Sequence, residues 1–284
     1  MIRVAYQGEP GAFGEEAVIG WFGEAATPAP VPTFSAVCAD VESGAADAGV
    51  LPLENSLAGT VGDALDALAV GSLRVVGEVL LPIRHQLLVL PGVALDSVVR
   101  VRSHWQALAQ CERFLRERSW QVIAASDTAG SARELAEEGD RSAAAIASRT
   151  AAERYGLVIA ASDIQASDHN VTRFAVLVRE GAASPDPAGA LAPSDGLRET
   201  LLTFETGHRP GDLVRALAVL ADASVNINRI ESRPSDDGPW RYRFLLQVSG
   251  DAAADPLREA LTGLKKHARS MRVLGSFDAA SGDH

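Results

Sequence analysis

Five short clusters concentrate the polar residues of this chain that are able to do chemistry. The first, Tyr6-Gln7-Gly8-Glu9-Pro10-Gly11-Ala12-Phe13, ends an apolar run at paired glycines and opens a helix. Gly8 and Gly11 let backbone N–H groups approach an anion, which the positive end of a helix favours. The second cluster runs from Pro52 to Thr60 and sets Glu54, Asn55 and Ser56 at the end of another apolar run. Asn and Ser hold carboxylate or hydroxyl oxygens, and Glu orients them or moves a proton. The same residue types also serve as ordinary helix caps. The third, Ser103-His104-Trp105-Gln106, is expected to open a helix with Gln106 in its first turn, facing a cleft. The fourth, Ser126-Asp127-Thr128-Ala129-Gly130-Ser131, is a strand-to-helix corner whose hydroxyls, Thr128 among them, would seat a carboxylate. In the fifth, Asp168 to Phe174, a polar loop enters an apolar strand. Strand alternation sets Thr172 and Phe174 on one face and Arg173 on the other, so a regular strand leaves Arg173 to brace the loop from behind.

No cluster carries metal-ligand spacing, a P-loop or a GxSxG elbow. Residue chemistry alone therefore leads to an α/β protein that binds a small, polar, anionic ligand.

Composition narrows the partners. The formal net charge of −11 argues against a nucleic-acid partner and leaves an anionic substrate to be collected by a local site. Apolar residues make up 47% of the chain but aromatics only 5%, so Ala, Val and Leu must fill most of the core. No apolar run reaches the roughly 18 residues that span a bilayer. The start, MIRVAYQGEP, lacks a signal-peptide core, so a cytoplasmic location without membrane attachment is expected. Cys38 and Cys111 stand alone and read as buried, reduced thiols.

The elements that must position these clusters alternate between strand and helix in the first 180 residues. Apolar runs at 2–7, 47–53, 87–90, 98–101, 122–124 and 143–146 read as strands. Segments 12–22, 60–70, 106–116, 129–138 and 149–154 read as helices. Such alternation implies an α/β fold with ligands at the carboxyl ends of strands. Residues 181–197, rich in Ala, Pro, Gly and Ser, read as a linker. Residues 198–284 then follow a βαββαβ order, the ferredoxin-like plan. The chain opens directly in a strand, so no additional N-terminal helical module is expected.

Taken together, the segments YQGEPGAF, PLENSLAGTV, SHWQALAQC, SDTAGSA, NVTRF and IESRP resemble monofunctional prephenate dehydratases, with arogenate dehydratases as the sister activity. The resemblance implies a catalytic domain over 1–180 with two lobes, like a type II periplasmic binding protein, and the site in the cleft between them. It implies a C-terminal ACT regulatory domain over 198–284. The expected reaction is the cofactor-free, metal-free conversion of prephenate to phenylpyruvate, with feedback by L-phenylalanine and a homodimeric or homotetrameric assembly. By the same resemblance the essential hydroxyl falls on Thr172. Asn55, Ser56, Gln106, Thr128, Arg173 and Phe174 would bind substrate, and Glu54 would handle a proton. The effector would be enclosed by Gly211, Asp212, Leu213 and Val214 together with Glu231, Ser232 and Arg233 of a neighbouring subunit, with Asn226 nearby. The chain departs from the family pattern at Ala12-Phe13-Gly14, where two hydroxyls are missing, at Trp105 and at Asp212. A non-catalytic amino-acid sensor on the same fold is the alternative of another class; retention of Thr172 and the polar corners argues against it.

Overall fold

The structure, a computed structural model, describes residues 1–191, 196–235 and 237–280. Part of the expected linker, 192–195, therefore lies outside the described residues. The chain begins β1 (Ile2–Gln7), α1 (Phe13–Phe22), β2 (Ala26–Val31), α2 (Phe34–Ser43), β3 (Ala48–Asn55), β4 (Gly59–Thr60), α3 (Gly62–Ala69) and β5 (Leu73–Pro82). It continues through β6 (Gln86–Val89), β7 (Arg100–His104), α4 (Trp105–Gln110), α5 (Glu112–Arg116), β8 (Gln121–Ala125), α6 (Thr128–Glu138), β9 (Ala143–Ala147), α7 (Arg149–Tyr155) and β10 (Val158–Ala161). β11 (Val171–Arg179) then returns to the first sheet, whose order is β2-β1-β3-β11-β5 with β4 paired to β3. The second sheet has the order β10-β6-β9-β7-β8.

β3 occupies the middle of the first sheet because its run, AGVLPLEN, is apolar on both faces until its last residues. The two sheets meet over a shared core in which Trp21, Phe22 and Val79 pack with Ala129, Ala132, Ala147 and Ala151. Small residues on the second side permit close approach. A Cβ on Gly11 (φ +90°) would stand 2.8 Å from the Ala151 Cα, so only glycine fits there. The chain crosses between the sheets twice, at 83–85 and 162–170, and the mouth of the interface is a cleft.

The C-terminal part is β12 (Arg198–Thr206), α8 (Asp212–Asp222), β13 (Ile227–Pro234), β14 (Tyr242–Ser249), α9 (Leu257–Lys265) and β15 (Ala268–Asp278). Its sheet has the order β13-β14-β12-β15. One face carries Leu202, Phe204 and Leu246 under α8 and α9. The other carries Leu201, Leu245, Leu274 and Phe277 onto Leu73, Val75, Ala175 and Leu177 of the first sheet. Each such side chain contributes roughly 1.5–3 kcal/mol on burial. The C-terminal unit is thus docked rather than loosely tethered. The described start of the expected linker is also pinned. Ala188 and Gly189 N–H groups donate to Trp21 O at 2.9 and 2.7 Å, and Leu191 N–H to Gly20 O at 2.7 Å. Those carbonyls lie in the last turn of α1.

Several elements differ from the sequence expectation. The helix expected over 106–116 is interrupted at Cys111, and Thr60 joins β4 instead of the following helix. β2 is not among the expected strands; it contains Pro28 and Pro30 and pairs with β1 alone, at an edge that tolerates proline. Both cysteines are buried, and burial pushes their thiols up to about 11 for Cys38 and about 12 for Cys111. Among the described residues no helix is long and apolar enough to cross a membrane.

Candidate active site

The cleft has a volume of about 860 Å³. The N-terminal residues of five helices line it: Phe13 and Gly14 of α1, Phe34 and Ser35 of α2, Gly62 and Asp63 of α3, Trp105 and Gln106 of α4, and Thr128 of α6. Among the described residues no Lys or Arg lines the cleft. What favours an anion there is the partial positive charge of the helix N-termini. At α1 the N-cap is Ala12, which offers no side-chain acceptor to the first-turn amides. At α6 the cap is Asp127, whose carboxylate accepts from the Gly130 N–H at 2.6 Å.

At the floor of the cleft β3 and β11 lie side by side, with Asn55 opposite Thr172. The Asn55 Oδ1 accepts the Leu57 and Ala58 N–H groups at 3.1 and 2.9 Å, which fixes the amide orientation. Its Nδ2 must therefore donate, to Thr172 Oγ1 at 2.9 Å and to Asn170 Oδ1 at 2.7 Å. Asn170 in turn donates to Gln110 Oε1 at 2.9 Å, and that oxygen lies 2.7 Å from His85 Nε2. The backbone of the 57–58 turn thus dictates, through three amides, that His85 carries its hydrogen on Nε2. The same logic fixes the Thr172 hydroxyl. Its oxygen accepts from Asn55, so its own hydrogen is free to point into the cleft. Burial holds the His85 imidazole below its usual range, opposed by the Gln110 hydrogen bond. His104 is lowered by burial as well, partly offset by Asp127.

Thr172, Phe174, Asn55, Gln106 and Thr128 all line this cleft. Three expected site residues do not. Glu54 lies on the opposite side of β3, turned there by a bulge at Leu53 that breaks the alternation set by Val50 and Pro52, and Arg229 Nε lies 3.3 Å from its carboxylate. It cannot serve there as a proton handler in the cleft. Ser56 is spent on the loop, its Oγ donating to His169 O at 2.5 Å and accepting the Val171 N–H at 3.0 Å. Arg173 points away from the cleft and binds Glu78 at 2.7 Å, bracing the strand from behind. Sequence reasoning missed His85, Gln110 and Asn170. Asn170 stands two residues before Thr172, on the same strand face, and Gln110 stands four after Gln106, so the spacing carried a signal for both.

In the C-terminal unit Gly211, Asp212, Leu213 and Val214 line a second cavity of about 380 Å³. Asp212 accepts the Arg209 N–H at 3.0 Å and binds Arg215 at 2.5 Å, which together hold its carboxyl below the usual range. Glu231 and Arg233 do not face that cavity; they contact Thr60 and Asp66 of the first 180 residues. Ser232 is exposed between them. Asn226 precedes β13, beside the start of β12, at the sheet end opposite Gly211. A single chain therefore does not assemble the expected effector residues into one pocket.

The two α/β sheets and their cleft, lined by helix N-termini, uncharged polar groups and the carboxylates of Asp63 and Asp127, define an α/β protein with a site of small-molecule size. The chain belongs to the prephenate dehydratase family, a family of lyases, whose model matches residues 4–182. It is 39% identical to the chloroplastic arogenate dehydratase/prephenate dehydratase 2 of Arabidopsis thaliana, over 97% of this chain and 72% of the relative. Among solved structures it resembles the Arthrobacter aurescens prephenate dehydratase in complex with L-Phe, with a TM-score of 0.87 and 33% identity over 98% of this chain and 90% of that one. It also resembles GqqA, described as a novel type of quorum quenching acylase, with a TM-score of 0.88 and 34% identity over 98% of both chains.

Proposed function

We propose that the cleft converts prephenate to phenylpyruvate. The ring carboxylate leaves as CO₂, its electron pair enters the ring, and the ring hydroxyl departs as water after taking up one proton. Aromatisation supplies the driving force. The observation that carries this reading is the orientation of the Thr172 hydroxyl, whose hydrogen is free because Asn55 donates to its oxygen. Thr172 donates that hydrogen to the leaving hydroxyl, and water entering the open cleft resupplies it. Phe174 packs the ring, while Gln106, Thr128 and the helix N-termini hold the pyruvyl carboxylate.

The same geometry disfavours hydrolysis of an acyl bond by Thr172. A nucleophilic hydroxyl needs a base at its hydrogen. Here the hydrogen bond to Thr172 Oγ1 comes from a donor. Arogenate is the second reading, favoured by the Arabidopsis relative. It differs from prephenate by an amine, and the cleft carboxylates that face such a cation are Asp63 and Asp127.

The catalytic part, residues 1–180, reads as a two-lobed, type II periplasmic-binding-protein-like domain. Residues 198–284 read as a ferredoxin-like ACT domain behind a linker over 181–197. Support comes from two sheets joined by two crossings and from the βαββαβ order. Feedback by L-phenylalanine is supported by the L-Phe complex of the Arthrobacter relative. A homodimer or homotetramer would complete the effector pocket that a single chain leaves divided. The test is steady-state turnover of purified protein on prephenate, on arogenate and on an N-acyl homoserine lactone. Higher kcat/KM on prephenate is expected; turnover of the lactone alone would overturn the dehydratase reading.

A further inference from the structure

The C-terminal sheet grips the back of the catalytic corner. β13 sets Arg229, Glu231 and Arg233 two residues apart on one face, and that face lies against residues 53–66. Arg229 Nη2 donates to Leu53 O at 3.0 Å while its Nε lies 3.3 Å from Glu54. Glu231 accepts a hydrogen bond from the Thr60 hydroxyl. Arg233 forks onto Asp66 at 2.9 and 2.6 Å. A Cβ on Gly62 would stand 2.5–2.8 Å from the Arg233 guanidinium, so glycine at 62 makes room for this contact. A second grip reaches β11. Gln247 of β14 donates to Glu78 at 2.9 Å, and Glu78 also binds Arg173 at 2.7 Å.

The gripped residues are the off-cleft neighbours of the two groups that matter most: Glu54 precedes Asn55, and Arg173 follows Thr172. Arg229 is only 9% exposed. Burying a guanidinium is costly unless its partners are held in place, so its retention here ties the position of β13 to that of Leu53 and Glu54.

Resting on the dehydratase reading, we propose that Arg229 is a positioning residue for the reaction. Through Leu53 O and Glu54 it sets Asn55 against Thr172, and it is the contact by which the C-terminal unit adjusts turnover. An effector that shifts β13 moves this corner without entering the cleft.

The test uses the full chain and whichever substrate the wild type turns over. Arg229→Met is expected to lower kcat by about 3–30-fold with little change in KM, the range of couplings carried between sites. Arg229→Lys should recover part of the loss, and Glu54→Gln should reproduce its direction. Combining Glu54→Gln with Arg229→Met should cost less than the product of the single effects. The control is Arg272→Gln, which breaks a contact of the same docking surface at Gly71 O and Leu73 O, away from the corner. It should leave kcat unchanged. Equal losses in Arg272→Gln and Arg229→Met would show generic docking and overturn the proposal, as would unchanged kcat in Arg229→Met. Hydrogen exchange is the second readout: Arg229→Lys should raise exchange at 53–61 and 171–174, and Arg272→Gln should not. If Arg229→Met does not fold, Arg229→Lys and Glu54→Gln decide by the same readings. A wild type inactive on both prephenate and arogenate refutes the dehydratase reading, while the exchange pattern still judges the positioning role.

Discussion

Asn55→Asp is the sharpest perturbation of the proposed chemistry, because it keeps the shape of the side chain and reverses one hydrogen bond. In the native corner Oδ1 is committed to the Leu57 and Ala58 N–H groups, so the amide nitrogen faces Asn170 Oδ1 at 2.7 Å and Thr172 Oγ1 at 2.9 Å. A carboxylate oxygen in place of that nitrogen would abut three acceptors, those two and Val171 O at 3.3 Å. Thr172 relieves its contact by turning its hydrogen onto the carboxylate, which removes that hydrogen from the cleft. A hydrogen bond to a charged group is worth about 1.5–3 kcal/mol. Breaking it to donate to the leaving hydroxyl slows the step about 10- to 100-fold. The added charge also opposes an anionic substrate: at about 5 Å and an effective dielectric near 20 it costs about 3 kcal/mol per substrate charge, which raises KM. Asn170 relieves its own contact by turning its amide, which forces Gln110 to turn and leaves His85 Nε2 facing an N–H. The imidazole must then move its hydrogen to Nδ1. The assays are steady-state kinetics with prephenate and nitrogen NMR of the His85 ring. Unchanged kcat would refute the assigned direction of the Thr172 hydroxyl. Lowered kcat with His85 still protonated on Nε2 would show that the relay does not run as one unit.

Thr172→Ala should slow turnover by roughly 10²–10⁴, the worth of positioned proton donation, with Thr172→Ser retaining more activity because it keeps the donor. Near-normal turnover of the alanine variant, measured beside binding of a non-reactive analogue, would remove the hydroxyl from the chemistry. Burial lowers the His85 pKa in the folded state. Its neutral form therefore contributes stability above the unfolded value of about 6.5, and this is lost as pH falls through that value toward the lower folded one. Urea unfolding between pH 7 and 5 should show this decline, flattened in His85→Gln; equal slopes would place the titration elsewhere. Asp212→Ala should tighten inhibition by phenylalanine by removing a carboxylate from the cavity wall, read as the concentration giving half-inhibition. Weaker inhibition would show instead that Asp212 binds the effector's ammonium group.

The five polar clusters were legible in sequence because each sits where an apolar run meets a helix start, and the structure brings residues of all five to one cleft. The side each residue takes was partly legible. Alternation puts Thr172 with Phe174 and turns Arg173 away. The same rule run along β3 from the cleft-facing Val50 and Pro52 would put Glu54 in the cleft and Asn55 behind it; a bulge at Leu53 reverses both. What could not be read was the destination of the outward residues. Glu54 meets Arg229 across 175 positions of sequence, and Arg173 meets Glu78 and through it Gln247. Long-range ion pairs leave no periodic trace. β2, absent from the expected strands, carries two prolines that the edge position of the strand accommodates.

The separation of charge in this molecule follows from the reaction. The ring carboxylate must leave as CO₂, and a guanidinium bound to it would stabilise the starting state more than the transition state. The cleft has no such group among the described residues. It offers helix N-termini, whose partial charges attract an anion without pinning one carboxylate by a fork of hydrogen bonds. The arginines are nearby but stand behind the strands: Arg173 on Glu78, Arg229 on Glu54 and Leu53 O, Arg233 on Asp66. There each is offset by a carboxylate, so it holds the backbone while adding little net charge to the site. A cleft that meets a multiply charged acid with dipoles and keeps its arginines in the scaffold can hold the pyruvyl end and still let the ring carboxylate go.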